Sequence, residues 1–273
     1  MRARKVHRIA TIAAVTAVAA AATGCSAGSV DAGAGSGAGG SASSGLPVGD
    51  QPVDLDPARF SPDIDNPYWP MTPGTRWTYR EAGADGTDLV VTVIATSQTK
   101  RIANGITARV VRDTVRDGAD IIEDTFDWYA QDDAGAVWYL GEETAEFEDG
   151  AITSRSGSFE AGVDGALPGI LIPADPQPGM AYRQEYYRGE AEDNGEVLSV
   201  HAKAEAPIGA FDDVLLTWDT ITIEPDVAEL KFYAPGVGPV LALDASGGAG
   251  REELVRIDTV PDGAGTGPLG SPD

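Results

Sequence analysis

Cysteine is almost missing from this chain: Cys25 is the single one among 273 residues. An intrachain disulfide is therefore excluded, and so is any fold that depends on a disulfide framework. Histidine is nearly as scarce, with His7 and His201 only. No His/Cys cluster exists to build a nitrogen–sulfur zinc site, so no metal is expected. Basic residues are outnumbered, 19 Lys and Arg against 43 Asp and Glu, for a formal charge of −24. A chain of that sign repels phosphate backbones, so no nucleic-acid partner is expected. No apolar run reaches the roughly 20 residues of a comfortable membrane span. A Gly-x-Ser-x-Gly nucleophile, a phosphate-cradling glycine loop and an EF-hand spacing are also absent. No cofactor is expected, and a non-enzymatic role is the first expectation.

The cysteine sits where processing would place it. Arg2, Arg4, Lys5 and Arg8 precede an apolar run from Ile9 to Ala22, and small residues follow. Residues 1–24 read as a signal peptide. Ala22-Thr23-Gly24-Cys25 resembles the lipobox of bacterial lipoproteins, with Ala where that family most often has Leu. The resemblance implies cleavage before Cys25 and a diacylglyceryl group on its thiol, hence a membrane partner and a place on the outer face of the cell membrane. Each buried CH₂ contributes about 0.8 kcal/mol, so two or three acyl chains anchor stably. The alternative is an ordinary secreted protein. Removing the four basic residues would take the formal charge of −24 to about −28.

Residues 25–60 read as the lipidated cysteine followed by a Gly/Ala/Ser/Pro tether, and 261–273 as a frayed Gly/Pro tail. The remainder, 61–260, is long enough for one β-rich domain with its own core.

Within that domain, Phe126 to Tyr129 and Val137 to Leu140 flank the polar turn Asp132-Asp133-Ala134-Gly135, the pattern of a β-hairpin. Placing Gln131 opposite Ala136 sets Tyr129 against Trp138 and Trp128 against Tyr139, and such cross-strand aromatic pairs contribute about 0.2–1 kcal/mol each. Further turn signals recur at Pro73-Gly74, Asp85-Gly86, Asn104-Gly105, Asp117-Gly118, Asp149-Gly150, Pro207-Ile208-Gly209 and Pro235-Gly236. Between them lie about eleven or twelve strand-like runs and no helix of three turns. The fold class is all-β: a single antiparallel meander forming a curved sheet, half-barrel or open barrel. In 120–130, Ile122, Phe126 and Trp128 share one parity and Glu123, Thr125 and Asp127 the other, with Asp124 interrupting the apolar side near a rim. Residues 161–179, apolar and Pro-rich, fit no regular element and read equally as a lid or a strap over the core.

Asn66 to Tyr79, Asp124 to Asp132 and Val137 to Gly141 together resemble an uncharacterised family of bacterial secreted proteins and lipoproteins. Tyr233-Ala-Pro-Gly-Val-Gly-Pro-Val240 is similar to that family's closing turn and to that of other half-barrel envelope domains. The resemblance implies the fold and location but transfers no catalytic residue.

Chemistry rests on few candidates. Glu123 and Asp127 share a face and could flank a sugar as paired carboxylates, the arrangement glycosidases require; a solvated acidic face is the plainer reading. Asp63, Asp65, Glu142 and Glu143 could offer oxygen ligands to Ca²⁺ but lack the spacing. Trp69, Trp77, Trp128, Trp138 and Tyr139 are the aromatic candidates for ligand binding; for Tyr68, Trp69 and Trp77 an aromatic plug closing one end of the sheet is the plainer reading than a carbohydrate or lipid platform. The expected function is an anchored, non-enzymatic module binding a lipid-like small molecule or an envelope protein. A secreted glycan hydrolase and a purely structural surface protein are the alternatives.

Overall fold

The computed structural model describes residues 45–83 and 86–272; Cys25 and the signal segment lie outside them. A single turn of 3₁₀-helix (Pro57–Arg59) is followed by strands β1 (Phe60–Ser61), β2 (Thr75–Ala82), β3 (Asp88–Arg101), β4 (Thr107–Asp117), β5 (Asp120–Asp132), β6 (Val137–Glu148), β7 (Ala151–Ser154) and β8 (Phe159–Glu160). The second half adds β9 (Leu167–Ile172), β10 (Ala181–Arg183), β11 (Glu185–Tyr186), β12 (Asp193–Ala206), β13 (Gly209–Ile221), β14 (Glu224–Ala234), β15 (Gly238–Asp244) and β16 (Arg251–Thr259). Every pairing is antiparallel.

The strands run in the order β10-β12-β13-β14-β15-β16-β2-β3-β4-β5-β6-β9-β11. The two ends of that list are consecutive in sequence, separated by Gln184 alone. The stretch 181–186 pairs first with β12 and then with β9, so it works as the seam that brings the sheet almost to closure. Near-closure removes long unpaired edges. Gly169 permits it: a Cβ there would stand 2.1 Å from the Gln184 carbonyl oxygen.

The aromatic hairpin forms with a register one step from the simplest one. Gln131 faces Val137, Ala130 faces Trp138 and Tyr129 faces Tyr139. Asp132 sets this register. Its carboxylate accepts from the Ala134 and Ala136 amides and from the Trp138 indole, and its own N–H bonds Ala136. Because side chains alternate faces, a one-step shift exchanges inside for outside. Tyr129 and Tyr139 now stack within the barrel, ring centroids 4.9 Å apart.

Three other expectations change. Residues 161–179 contain strand β9, almost wholly buried and hydrogen-bonded to β6 and β11, so the middle of this stretch is barrel wall. The tail is held down: Arg112, fully buried, donates to the carbonyls of Gly265, Gly267 and Pro268 while pairing with Asp124, whose carboxylate also accepts from the Gly270 amide. Asp124 is thus an outer-face anchor, fully buried beneath the tail. The last part of the tether is held in the same way, because Arg183 donates to the carbonyls of Pro168, Gly49 and Gln51, and its own amide bonds Pro47. Each guanidinium offers a planar fork of donors suited to binding several carbonyls at once.

Candidate functional site

The lead-in 63–71 turns into the barrel and closes one end. Met71 bonds back to Ile64, and Trp69 and Met71 are fully buried. Trp69 lies edge-on to Trp77 at 6.3 Å and packs on Tyr129 at 5.7 Å and Tyr233 at 6.5 Å. Trp77 donates to the Val237 carbonyl and Tyr79 to that of Pro239, tying the plug to the β14–β15 turn. Gly238, at φ +110°, leaves room for the indole; a Cβ there would lie 2.7 Å from Trp69 Cδ1.

The other end of the interior is acidic. The inward face of β5 is the polar one, Glu123, Thr125 and Asp127, continuing to Tyr129. Asp113 stands between Val93 and Thr125, and Thr125 faces Thr144 with hydroxyl oxygens 2.7 Å apart. Asp127 faces Glu142 across the next pair of strands. Glu81 faces Glu252 on the far wall. Glu185 of the seam hydrogen-bonds Asp193 of β12. Asp219 and Glu229 hold the ammonium of Lys231 at 3.1 and 3.5 Å, and Gln184 donates to Asp219. All of these side chains are buried except that of Asp193, which is half-buried.

Burial and mutual repulsion disfavour ionisation of these carboxyls. Burial first, then the charges of Asp127, Glu252 and Glu123, push Asp113 well above its ordinary value. Burial raises Asp127 to about 8, against the opposing hydrogen bond from Tyr139 and helped by Glu123. Glu142 rises well above its usual range through burial and Asp127, and Glu185 through burial and Asp193. Burial lifts Asp193 to about 6, although the bond from Glu185 and the Lys231 charge act the other way. For Lys231 burial would lower the value, but Asp219 and Glu229 overcome it, and the ammonium is held well above its normal range. Among the described residues, Asp113, Asp127, Glu142, Glu185 and Asp193 have no ion-pair partner. Both Asp113 carboxyl oxygens lack a hydrogen bond, as do Glu185 Oε2 and the Tyr129 hydroxyl.

A groove of about 220 Å³ lies outside the seam, lined in part by Asp50, Arg183, Glu185, Glu192 and Asn194. Glu185 lines this groove and also hydrogen-bonds Asp193 of the interior cluster.

The sequence candidates divide. Glu123, Asp127 and Tyr139 lie in the compartment, and Trp69 and Trp77 in the plug. Trp128 faces outward beneath Lys100, whose ammonium is 3.2 Å from the ring centroid, and Trp138 packs on Phe60. The five aromatics therefore do not form one platform. Asp113, Glu185, Asp193, Asp219, Glu229 and Lys231 were missed, because each looks like an isolated charge until barrel closure brings distant strands together. His201 sits on the surface, 3.0 Å from Asp213. Among the described residues no group of three or more His, Cys, Asp or Glu has the geometry to hold a metal ion, and no helix is long and apolar enough to cross a membrane.

No protein-family model matches the chain, and no curated protein does. Among solved structures, a lipoprotein candidate from Parabacteroides distasonis ATCC 8503 superposes with a TM-score of 0.38 at 10% identity, covering 70% of this chain and 98% of that one. Likeness at this level carries no argument about function.

Proposed function

We propose that the chain is an extracytoplasmic ligand-binding barrel, held at the membrane through a lipidated Cys25. The single observation that carries the binding role is the unlike filling of the two ends of the interior. The chain's own aromatic plug occupies one end, whereas the other is lined by carboxyls, several with unpaired oxygens. A barrel with a purely structural role gains nothing from burying polar groups without partners, because each costs roughly 1–3 kcal/mol. The expected ligand is therefore small and polar rather than lipid-like, since the apolar end is already filled. The anchor rests on Ala22-Thr23-Gly24-Cys25 alone.

Native mass spectrometry of the full chain, purified gently in detergent from its own host, tests the binding role. A reproducible adduct beyond the acyl mass on Cys25 supports it. A bare lipidated polypeptide, with no thermal response to any small-molecule class, removes it. Radiolabelled palmitate retained by the wild type and lost in Cys25→Ala tests the anchor separately.

A glycan-cleaving variant of the reading has a specific form. Asp127 and Glu142 both contact the Tyr139 hydroxyl at 2.8 Å, making them a closer pair than the Glu123–Asp127 pair expected from strand parity. Release of reducing sugar that disappears in Asp127→Asn and Glu142→Gln would establish it.

A further inference from the structure

Resting on the reading of the barrel as a ligand-binding module, we propose that its acidic compartment takes a small organic polycation, a linear diamine being the simplest. It would enter by the seam groove and place its ammonium groups on Glu185–Asp193 and on the Asp113/Asp127/Glu142 wall.

Three observations support this. First, the protein already seats one ammonium here: Lys231 lies between Asp219 and Glu229. That half of the compartment carries its own cation. The half formed by Asp113, Asp127, Glu142 and Glu185 has no such cation among the described residues. Second, Asp113 is 5% exposed, faces the interior between Val93 and Thr125, and has neither carboxyl oxygen hydrogen-bonded. An unpaired buried carboxyl aimed at other carboxyls is costly by itself and is relieved by a cationic donor. Third, Glu185 connects inside with outside. It lines the external groove, bonds the half-buried Asp193, and keeps Oε2 unpaired. The groove mouth adds Glu192 and Asp50, the latter paired with Arg188 at 3.4 Å, while the neighbouring Arg183 gives Nε and Nη1 to backbone carbonyls and keeps Nη2 unbonded.

The chemistry favours ammonium over a metal ion. An ammonium presents three donors on a narrow stem and can donate to carboxyls that do not converge on one point. A divalent ion needs several oxygens converging at one point, and the described residues offer no such group. A chain with two amines can also reach successive carboxyls, from the seam inward. Ligand and protons compete for the same oxygens, so binding is strongest on the alkaline side of Asp127, whose value is about 8.

The test uses the full chain in detergent with 1,4-diaminobutane as probe, at about 150 mM salt to suppress surface attraction, by calorimetry and thermal shift at pH 8.5 and pH 5. The proposal expects saturable binding at pH 8.5, weakened by at least about tenfold at pH 5, and about tenfold weaker for propylamine. Asp113→Asn and Glu185→Gln should each reduce affinity by about tenfold or more. Both substitutions relieve repulsion, so both variants should fold, as circular dichroism would show. Asp149→Asn, at the exposed β6–β7 turn, should bind as the wild type does. No binding at pH 8.5, an equal response to Ca²⁺ or Mg²⁺, or full retention in both amide variants would each overturn the cation assignment. A native mass showing a neutral bound species without any diamine response would overturn this proposal alone. No adduct and no response to any probe would overturn the underlying reading as well.

Discussion

The Tyr139 hydroxyl lies 2.8 Å from Asp127 Oδ1 and 2.8 Å from Glu142 Oε2. One hydroxyl has one proton to donate. The second short contact therefore requires a proton on one of the carboxyls, which then donates to the phenol oxygen. The contact pattern fits a carboxyl pair that retains a proton inside the barrel. It agrees with burial and mutual repulsion, which raise both groups.

Tyr139→Phe removes this bridge. The loss of hydrogen bonds from buried carboxyls should cost about 1–3 kcal/mol. Since the bond from Tyr139 is what restrains Asp127, the Asp127 titration should move upward from about 8. Carboxyl-carbon NMR of the variant checks this; a downward shift would contradict the arrangement.

The pH dependence of stability should run opposite to ordinary acid denaturation. In the unfolded chain these carboxyls ionise near pH 4. In the folded barrel Asp193 ionises at about 6, Asp127 at about 8, and Glu142, Glu185 and Asp113 higher than usual. Between the two sets of values the folded state binds more protons, so stability falls as pH rises. Exposed Asp88 and Asp133 and half-buried Asp258, lowered by their arginine partners, work the other way, but solvent screens the exposed pairs. Thermal melts should show a higher Tm near pH 5 than near pH 8.5, the loss accumulating between about 4 and 8.

Deleting residues 262–272 should destabilise the barrel although no strand is removed. Arg112 would lose its three carbonyl acceptors and Asp124 the Gly270 amide. A cost of about 1–3 kcal/mol is expected, or several degrees in Tm for a domain of this size. Arg112→Met, leaving Asp124 buried without its partner, should cost more, about 3–5 kcal/mol. Differential scanning calorimetry distinguishes the two.

Gly169→Ala should prevent closure, because the new methyl meets the Gln184 carbonyl at 2.1 Å. Aggregation or exposure of the β9 edge is expected, read by size-exclusion chromatography. Gly135→Ala, at φ +99° in open space, supplies the contrast: backbone strain of about 1–3 kcal/mol and a monomeric barrel.

Trp69→Ala removes the centre of the plug. Large aromatic truncations in a packed core cost about 3–5 kcal/mol, and near-UV circular dichroism should lose much of its signal because Trp77, Tyr129 and Tyr233 all contact that ring.

The turns were legible because Asn-Gly and Asp-Gly supply positive φ locally: Gly105 and Gly118 sit at φ +92° and +59° between the strands they were expected to separate. The face of β5 was not. Parity puts Ile122, Phe126 and Trp128 on the side that composition assigns to a core, yet that side lies under the tail and Lys100, and the carboxyl side points inward. Only closure of the whole sheet reveals that Asp127 and Glu142 share space with Glu185 from more than forty positions later. Pro168 hid β9, because a proline in so short a run weakens any strand reading. The tail and tether misled for a related reason. Gly and Pro bring no side chain to pack, but their carbonyls remain acceptors, and Arg112 and Arg183 use them.

The clasp of Arg183 on residues 47–51 determines how the molecule bears load. Tension applied along the N-terminal segment reaches Leu46 and the Pro47 carbonyl first, then the guanidinium, and passes into 181–186. Traction thus enters the wall at the seam beside Glu185, where the two ends of the sheet meet.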